Sequence, residues 1–162
     1  MNWGTIQRIL GMFLMAFSVT LLPPVLVSIW YADGAIDHFL LSLIAIFISG
    51  AILWLPVHRS RHELRIRDGF IIVTMFWTVL GILSAMPLVL SLDLSFTDAV
   101  FEAVSGFTTT GATVIAGLDQ LPPSVLYYRQ QLQWLGGMGI IVLAVAIIPM
   151  LGVGGMQLFR AE

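Results

Sequence analysis

The chain has 162 residues, 59% of them hydrophobic and 10% charged, with net charge −2 and mean hydropathy +0.99. Soluble domains run nearer about 45–50% apolar and about 25% charged, so this composition excludes a soluble globular domain and implies an integral membrane protein. The near-neutral charge gives no footprint for nucleic acid, and the lack of cysteine excludes disulfides and thiolate metal centres.

Four apolar runs follow in chain order, each long enough to cross a hydrocarbon core of about 30 Å as a helix. They are Ile9 to Trp30, Phe39 to Val57, Gly69 to Leu92 and Trp134 to Val153. The first is longer than the roughly 7–15 apolar residues of a signal peptide and reads as a retained helix. Pro23-Pro24 should kink it or end its regular part. All basic residues are arginine, and Arg8, Arg59, Arg61, Arg65, Arg67 and Arg160 fall on one side if four helices alternate. That side should be cytoplasmic, with both termini inside. The opposite side receives Asp33, Asp37, the segment 93–128 and Arg129.

The segment between the third and fourth runs does not fit a simple loop. Ser95 to Ser105 predicts a short helix, capped by Ser95 with Asp98 three residues on, or by Thr97, and ended by Gly106. Phe96, Val100, Phe101 and Val104 give it apolar faces. Eleven residues make roughly 16 Å, about half a bilayer. Next comes "GFTTTGATV", residues 106–114. One reading is a surface loop after an amphipathic helix lying on the membrane. The other is a re-entrant element: the helix dips in and the chain returns extended, which membrane depth tolerates only in protein or beside a wet cavity. Carbonyls along such a strand can replace the hydration shell of a cation, and the C-terminus of the short helix adds partial negative charge.

The order helix, short helix, threonine-rich glycine strand, helix resembles the pore motif of potassium channels. "FEAVSGFTTTGATVI" followed by "YYRQQLQWLGGMGIIVLAVAIIPMLGVGGMQLFRAE" is similar to the first pore repeat of the Trk/Ktr/HKT potassium transporters, in the TrkH/TrkG branch. The resemblance implies an all-α integral membrane fold. Residues 1–60 would form a leading helix pair and residues 61–162 the first pore repeat, with helix 69–92, pore helix 95–105, filter 107–114 and helix 124–157. It implies potassium uptake across the bacterial cytoplasmic membrane and no enzymatic activity. The potassium ligands would be backbone carbonyls of Thr108, Thr109, Thr110, Gly111 and Ala112, with the ion at Thr109, Thr110 and Gly111. Relatives with serine at the filter glycine tend towards sodium; here that position is Gly111. Implied partners are the remaining repeats of a longer chain, a second copy in a homodimer, a cytosolic TrkA-like nucleotide-binding regulator and membrane lipid. Only one threonine-glycine filter occurs, so the chain is expected to be the N-terminal part of a longer transporter. A non-conducting assembly or anchoring fragment is the alternative.

Other polar residues have competing readings. Glu102 could face an outer vestibule and concentrate cations, or be a carboxylate favoured by the helix start. Arg129 could pair with Glu102 and hold the loop, or be solvated. His58 and His62 share an i, i+4 spacing without a third ligand, and the sequence offers no cofactor site. Ser105 invites a nucleophile reading, but no His or Asp within the apolar runs could serve as its base. The glycines of "LGGMG", Gly136, Gly137 and Gly139, are expected to pack against the short helix or the filter strand.

Overall fold

The structure is a computed structural model and describes residues 3–58 and 66–150. Every regular element among them is helical: α1 (Trp3–Val19), α2 (Leu22–Tyr31), α3 (Ile36–Trp54), α4 (Ile66–Leu83), α5 (Met86–Leu92), α6 (Phe96–Phe107) and α7 (Pro123–Met150), with short 3-10 turns at Leu55–Val57 and Leu118–Gln120. Three stretches among the described residues are long and apolar enough to span a membrane: Trp3–Tyr31, Ile36–Val57 and Asp68–Leu92. Helix α7 runs a further 28 residues and reaches Met150 without interruption. The rest of the helix expected to reach residue 157, the glycines of "LGVGG" and the arginine-rich 59–65 lie outside the described residues.

Two expected helices are each broken in two. The first run parts at Thr20 and Leu21, just before Pro23-Pro24, and the third at Ser84 and Ala85, just before Pro87. Proline has no amide hydrogen and its ring crowds the carbonyl four residues earlier, so the interruption falls upstream of the ring itself. The prolines then sit in the first turn of α2 and α5, where a missing N–H breaks no hydrogen bond within the new helix.

Helices α1 and α3 cross at Gly11 and Gly50. A Cβ on Gly11 would lie 2.7 Å from the Gly50 carbonyl oxygen, and one on Gly50 would lie 2.8 Å from that of Gly11. In lipid, where expulsion of water does not drive helices together, such close backbone approach is what packs them. Leu14, Phe17, Phe39, Leu88, Ala103, Tyr128 and Leu132 form a buried cluster joining the leading helices to α6 and α7. Outside it, α3 turns Leu41, Ile44, Ile48 and Ile52 outward, a surface suited to acyl chains.

Asp33, in the loop after α2, carries a long-range cap. Its Oδ2 accepts from the Ser124 amide at 2.9 Å, in the first turn of α7, while Oδ1 accepts from the Ser28 hydroxyl and the Ala35 amide. The α2–α3 loop and the start of α7 therefore share one end of the molecule. Partial burial works to raise the Asp33 pKa, but the hydrogen bonds from Ser28, Ser124 and Ala35 outweigh it and hold the group below its ordinary value.

Two outcomes follow. Gly11→Val should lower stability by about 1–3 kcal/mol through overpacking, read by thermal unfolding in detergent. Asp33→Ala should cost about 1 kcal/mol by uncapping α7. Because the folded pKa of Asp33 lies below the unfolded one, its contribution is complete above the unfolded value and lost as pH falls through the folded value. The gap between Asp33→Ala and the unmodified protein should close in acid; a gap that persists there would contradict this cap.

Candidate functional site

Helix α6 begins as the sequence suggests. Ser95 is its N-cap, accepting from the Asp98 amide at 3.2 Å and donating to the Asp98 carboxylate at 2.7 Å. Its end differs. The helix runs through Gly106 to Phe107, with Thr108 as C-cap. Gly106 does not terminate it but lets α7 come close: an added Cβ would lie 3.2 Å from the Leu132 Cβ. The buried stripe of α6 is built from small or polar residues, including Ala99, Glu102, Ala103 and Ser105. Phe96, Phe101 and Val104, which give the helix its apolar faces, are exposed in this chain.

The left-handed residue after α6 is Thr109, at φ 58°. A β-branched residue there carries a strain of about 1–2 kcal/mol. Gly111 follows at φ 73°, where glycine is at no disadvantage. These two turns fold the chain back on α6. The Thr108 amide donates to Val104 O (2.8 Å), Thr109 to Gly106 O (2.9 Å), and Thr110 and Gly111 both to Ser105 O (2.9 and 3.3 Å). No described peptide is cis. In a trans peptide the carbonyl points opposite to the next residue's N–H. With the amides of 109, 110 and 111 aimed at α6, the carbonyls of Thr108, Thr109 and Thr110 aim away from it. Thr108 O takes the Thr109 hydroxyl at 2.7 Å; among the described residues the carbonyls of Thr109, Thr110 and Gly111 accept no hydrogen bond. Residues Thr108 to Val114 are all exposed in this chain.

Ala112 is placed differently from its neighbours. Its carbonyl accepts the Ser105 hydroxyl at 2.7 Å and so turns towards α6. That bond also accounts for Ser105, which acts as a strut under the loop.

Beyond Ala112 the anchor is Glu102. Its Oε1 accepts from the Thr113 hydroxyl (2.5 Å), the Val114 amide (2.6 Å) and the Ile115 amide (3.3 Å). Its Oε2 accepts from Arg129 Nε (3.2 Å) and Nη2 (2.9 Å). The outer-vestibule reading would put this carboxylate in water; instead its side chain is 1% exposed, and that of Arg129 12%. Of the two readings of Arg129, the structure has the pair. One carboxylate thus joins the loop, through one oxygen, to α7, through the other.

Helix α7 presses on the same place. A Cβ on Gly136 would lie 1.8 Å from the Phe107 carbonyl oxygen, and one on Gly137 would lie 3.7 Å from the Thr109 methyl. Gly136 and Gly137 therefore pack where the helix ends and the loop begins, whereas Gly139, expected there too, faces the Trp77 ring on α4, 3.7 Å from an added Cβ. Sequence reasoning did not single out Asp33, Tyr128 or Gln131, whose partners are distant in the chain.

A family model described as a cation transport protein, TrkH, matches residues 35–162. The chain belongs to the TrkH family. It is 57% identical over its whole length to the Trk system potassium uptake protein TrkH of Halomonas elongata, covering 34% of that protein. It is 52% identical to the TrkH of Escherichia coli K12, again over its whole length and 34% of the relative, and 43% identical to the TrkG of that organism over 97% of this chain and 33% of the relative. Its fold is similar to the crystal structure of the potassium transporter TrkH from Vibrio parahaemolyticus, with TM-score 0.90 and 54% identity over 96% of this chain and 34% of that one. This chain thus spans about a third of the length of the relatives it matches, and those relatives are named as uptake proteins rather than enzymes. It is a membrane protein of all-α fold.

Gly136→Ala should be severely destabilising, because the Cβ meets backbone and no rotamer change relieves it. A loss of about 3 kcal/mol or failure to fold is expected, and an unchanged melting temperature in detergent would refute this packing. Arg129→Leu leaves Glu102 buried without its counter-charge and should cost about 3–5 kcal/mol, whereas the double variant Glu102→Gln with Arg129→Leu should recover part of that loss.

Proposed function

We propose that this chain supplies one of four pore repeats of a potassium uptake transporter in the bacterial cytoplasmic membrane. Potassium passes along a filter of backbone carbonyls, with Thr109, Thr110 and Gly111 at the ion and Thr108 at the inner end. One observation carries this reading: the loop's amides are consumed by α6, while the carbonyls of Thr109 and Thr110 face away and accept no hydrogen bond among the described residues. Acceptors left open at membrane depth are costly unless something takes them up. A dehydrated alkali cation is the partner a row of carbonyls suits. Ala112, whose carbonyl already serves Ser105, contributes through its remaining lone pair. Glu102 holds the strand and does not gather ions.

In this reading α6 and the loop are re-entrant, and a single loop supplies only part of the ring of oxygens a filter requires. The remaining repeats come from a longer chain. The complete protein pairs as a homodimer, and a cytosolic TrkA-like nucleotide-binding subunit regulates it. The arginine distribution supports a cytoplasmic position for both ends of this chain. The relatives are potassium uptake proteins and a potassium transporter by name, which supports the choice of ion.

The test is Gly111→Ser in the complete transporter reconstituted in liposomes. At φ 73° any side chain is strained, by about 1–2 kcal/mol, and relief of that strain turns the adjoining carbonyls, so potassium-over-sodium discrimination should fall. Discrimination that survives the substitution would remove the filter assignment. The 162-residue chain alone, with its filter face uncovered, is expected to give no potassium flux.

A further inference from the structure

The helix break in the first run leaves one carbonyl in an unusual position. In a helix, the oxygen of residue 20 would be served by the amide of residue 24, or in a tighter turn by that of residue 23. Both residues are proline, so Thr20 O has neither donor. Leu21 N goes to Ser18 O, and the Thr20 amide and hydroxyl both go to Phe17 O. The donor that reaches Thr20 O comes from 111 residues away: Gln131 Nε2 on α7, at 2.5 Å.

The third run repeats this. Ser84 O would be served by the amides of residue 88 or 87. Residue 87 is proline, and the Leu88 amide goes to Ala85 O at 3.0 Å. Tyr128 Oη, also on α7, donates to Ser84 O at 2.7 Å in a fully buried site. Tyr128 and Gln131 are three residues apart, on one side of one helical turn. Between them stands Arg129, which holds Glu102 and through it the loop at 113–115. Leu132 and Gly136 continue the contact with α6.

We propose that Gln131 and Tyr128 are positioning residues for the loop. They supply donors to the two carbonyls left without one at the helix breaks, Thr20 O because residues 23 and 24 are both proline and Ser84 O because residue 87 is proline and the Leu88 amide turns to Ala85 O, and so lock both bends to the turn of α7 that holds Glu102. This rests on the proposed filter only for its consequence on ion passage. The latch itself is a statement about packing. Gln131 is the more telling of the pair, because its carbonyl partner has lost both intrahelical donors and no neighbouring amide can replace it.

The experiment is a double-mutant cycle in the full-length protein, with Gln131→Leu, Pro24→Ala and the pair together. Pro24→Ala returns an amide hydrogen to position 24, which gives Thr20 O an intrahelical donor and makes Gln131 redundant. Gln131→Leu alone should lower the folded-to-unfolded ratio in detergent by about tenfold; in the Pro24→Ala background the same change should cost less than about twofold. Equal losses in both backgrounds overturn the latch, and this arm does not depend on which ion the protein carries. In liposomes, Gln131→Leu should reduce potassium-over-sodium discrimination and the double variant should restore it. Coupled stability with discrimination indifferent to Gln131 overturns the positioning role. A reconstituted parent protein that shows no potassium selectivity counts against the filter, with the stability cycle still deciding the latch.

Discussion

Backbone amides and carbonyls withdrawn from water must find partners within the protein, and in this chain that requirement shapes each departure from regular helix. The loop after α6 meets it by spending four amides on the last carbonyls of the helix that precedes it. Farther along, two more amides and a hydroxyl share one oxygen of Glu102. The breaks before Pro23-Pro24 and Pro87 meet it with side chains from α7. Without these partners the polar backbone would be buried and unsatisfied, at about 1–3 kcal/mol for each group.

The second shaping factor is closeness. Gly11 with Gly50, Gly106 with Leu132, and Gly136 with Phe107 are places where a single methyl group would separate two elements. Small residues let backbone meet backbone, and at Gly136 that contact falls on the peptide where α6 gives way to the loop. Glu102 and Arg129 bind the same two elements by charge. Contact and ion pair act on opposite ends of one short segment, from Phe107 to Ile115, and together fix its path.

Much of this was legible in the sequence. Apolar runs announced membrane helices, Ser95 with Asp98 announced the start of α6, and the "LGGMG" glycines announced a close contact near its end. These are local signals, carried by residues a few positions apart. What was misread or left open shares a cause. Gly106 carries the signature of a helix terminator, yet it serves interhelical contact, and Thr109 takes the left-handed turn instead. The apolar face of Phe96, Phe101 and Val104 was legible, but periodicity cannot tell a face packed within the chain from one left open at its surface. Glu102 left two readings open, and the one that pairs it with Arg129, 27 residues away, is the one the structure has. Asp33 with Ser124 and Gln131 with Thr20 join residues 91 and 111 positions apart, and nothing in either local stretch names its partner.

The loop's direct ties to α6 and α7 begin and end between residues 102 and 136, inside one short contiguous stretch of polypeptide, while α7 is itself held to Thr20 and Ser84. The loop's own hydrogen bonds are therefore local, made once α7 packs beside α6. Were further repeats to pack around the loop, they would meet turns already hydrogen-bonded to α6, and the entropy of ordering those turns would not be charged against the joining step. Such a unit is suited to duplication: copies can be set side by side around an axis without any of them having to teach the others their shape.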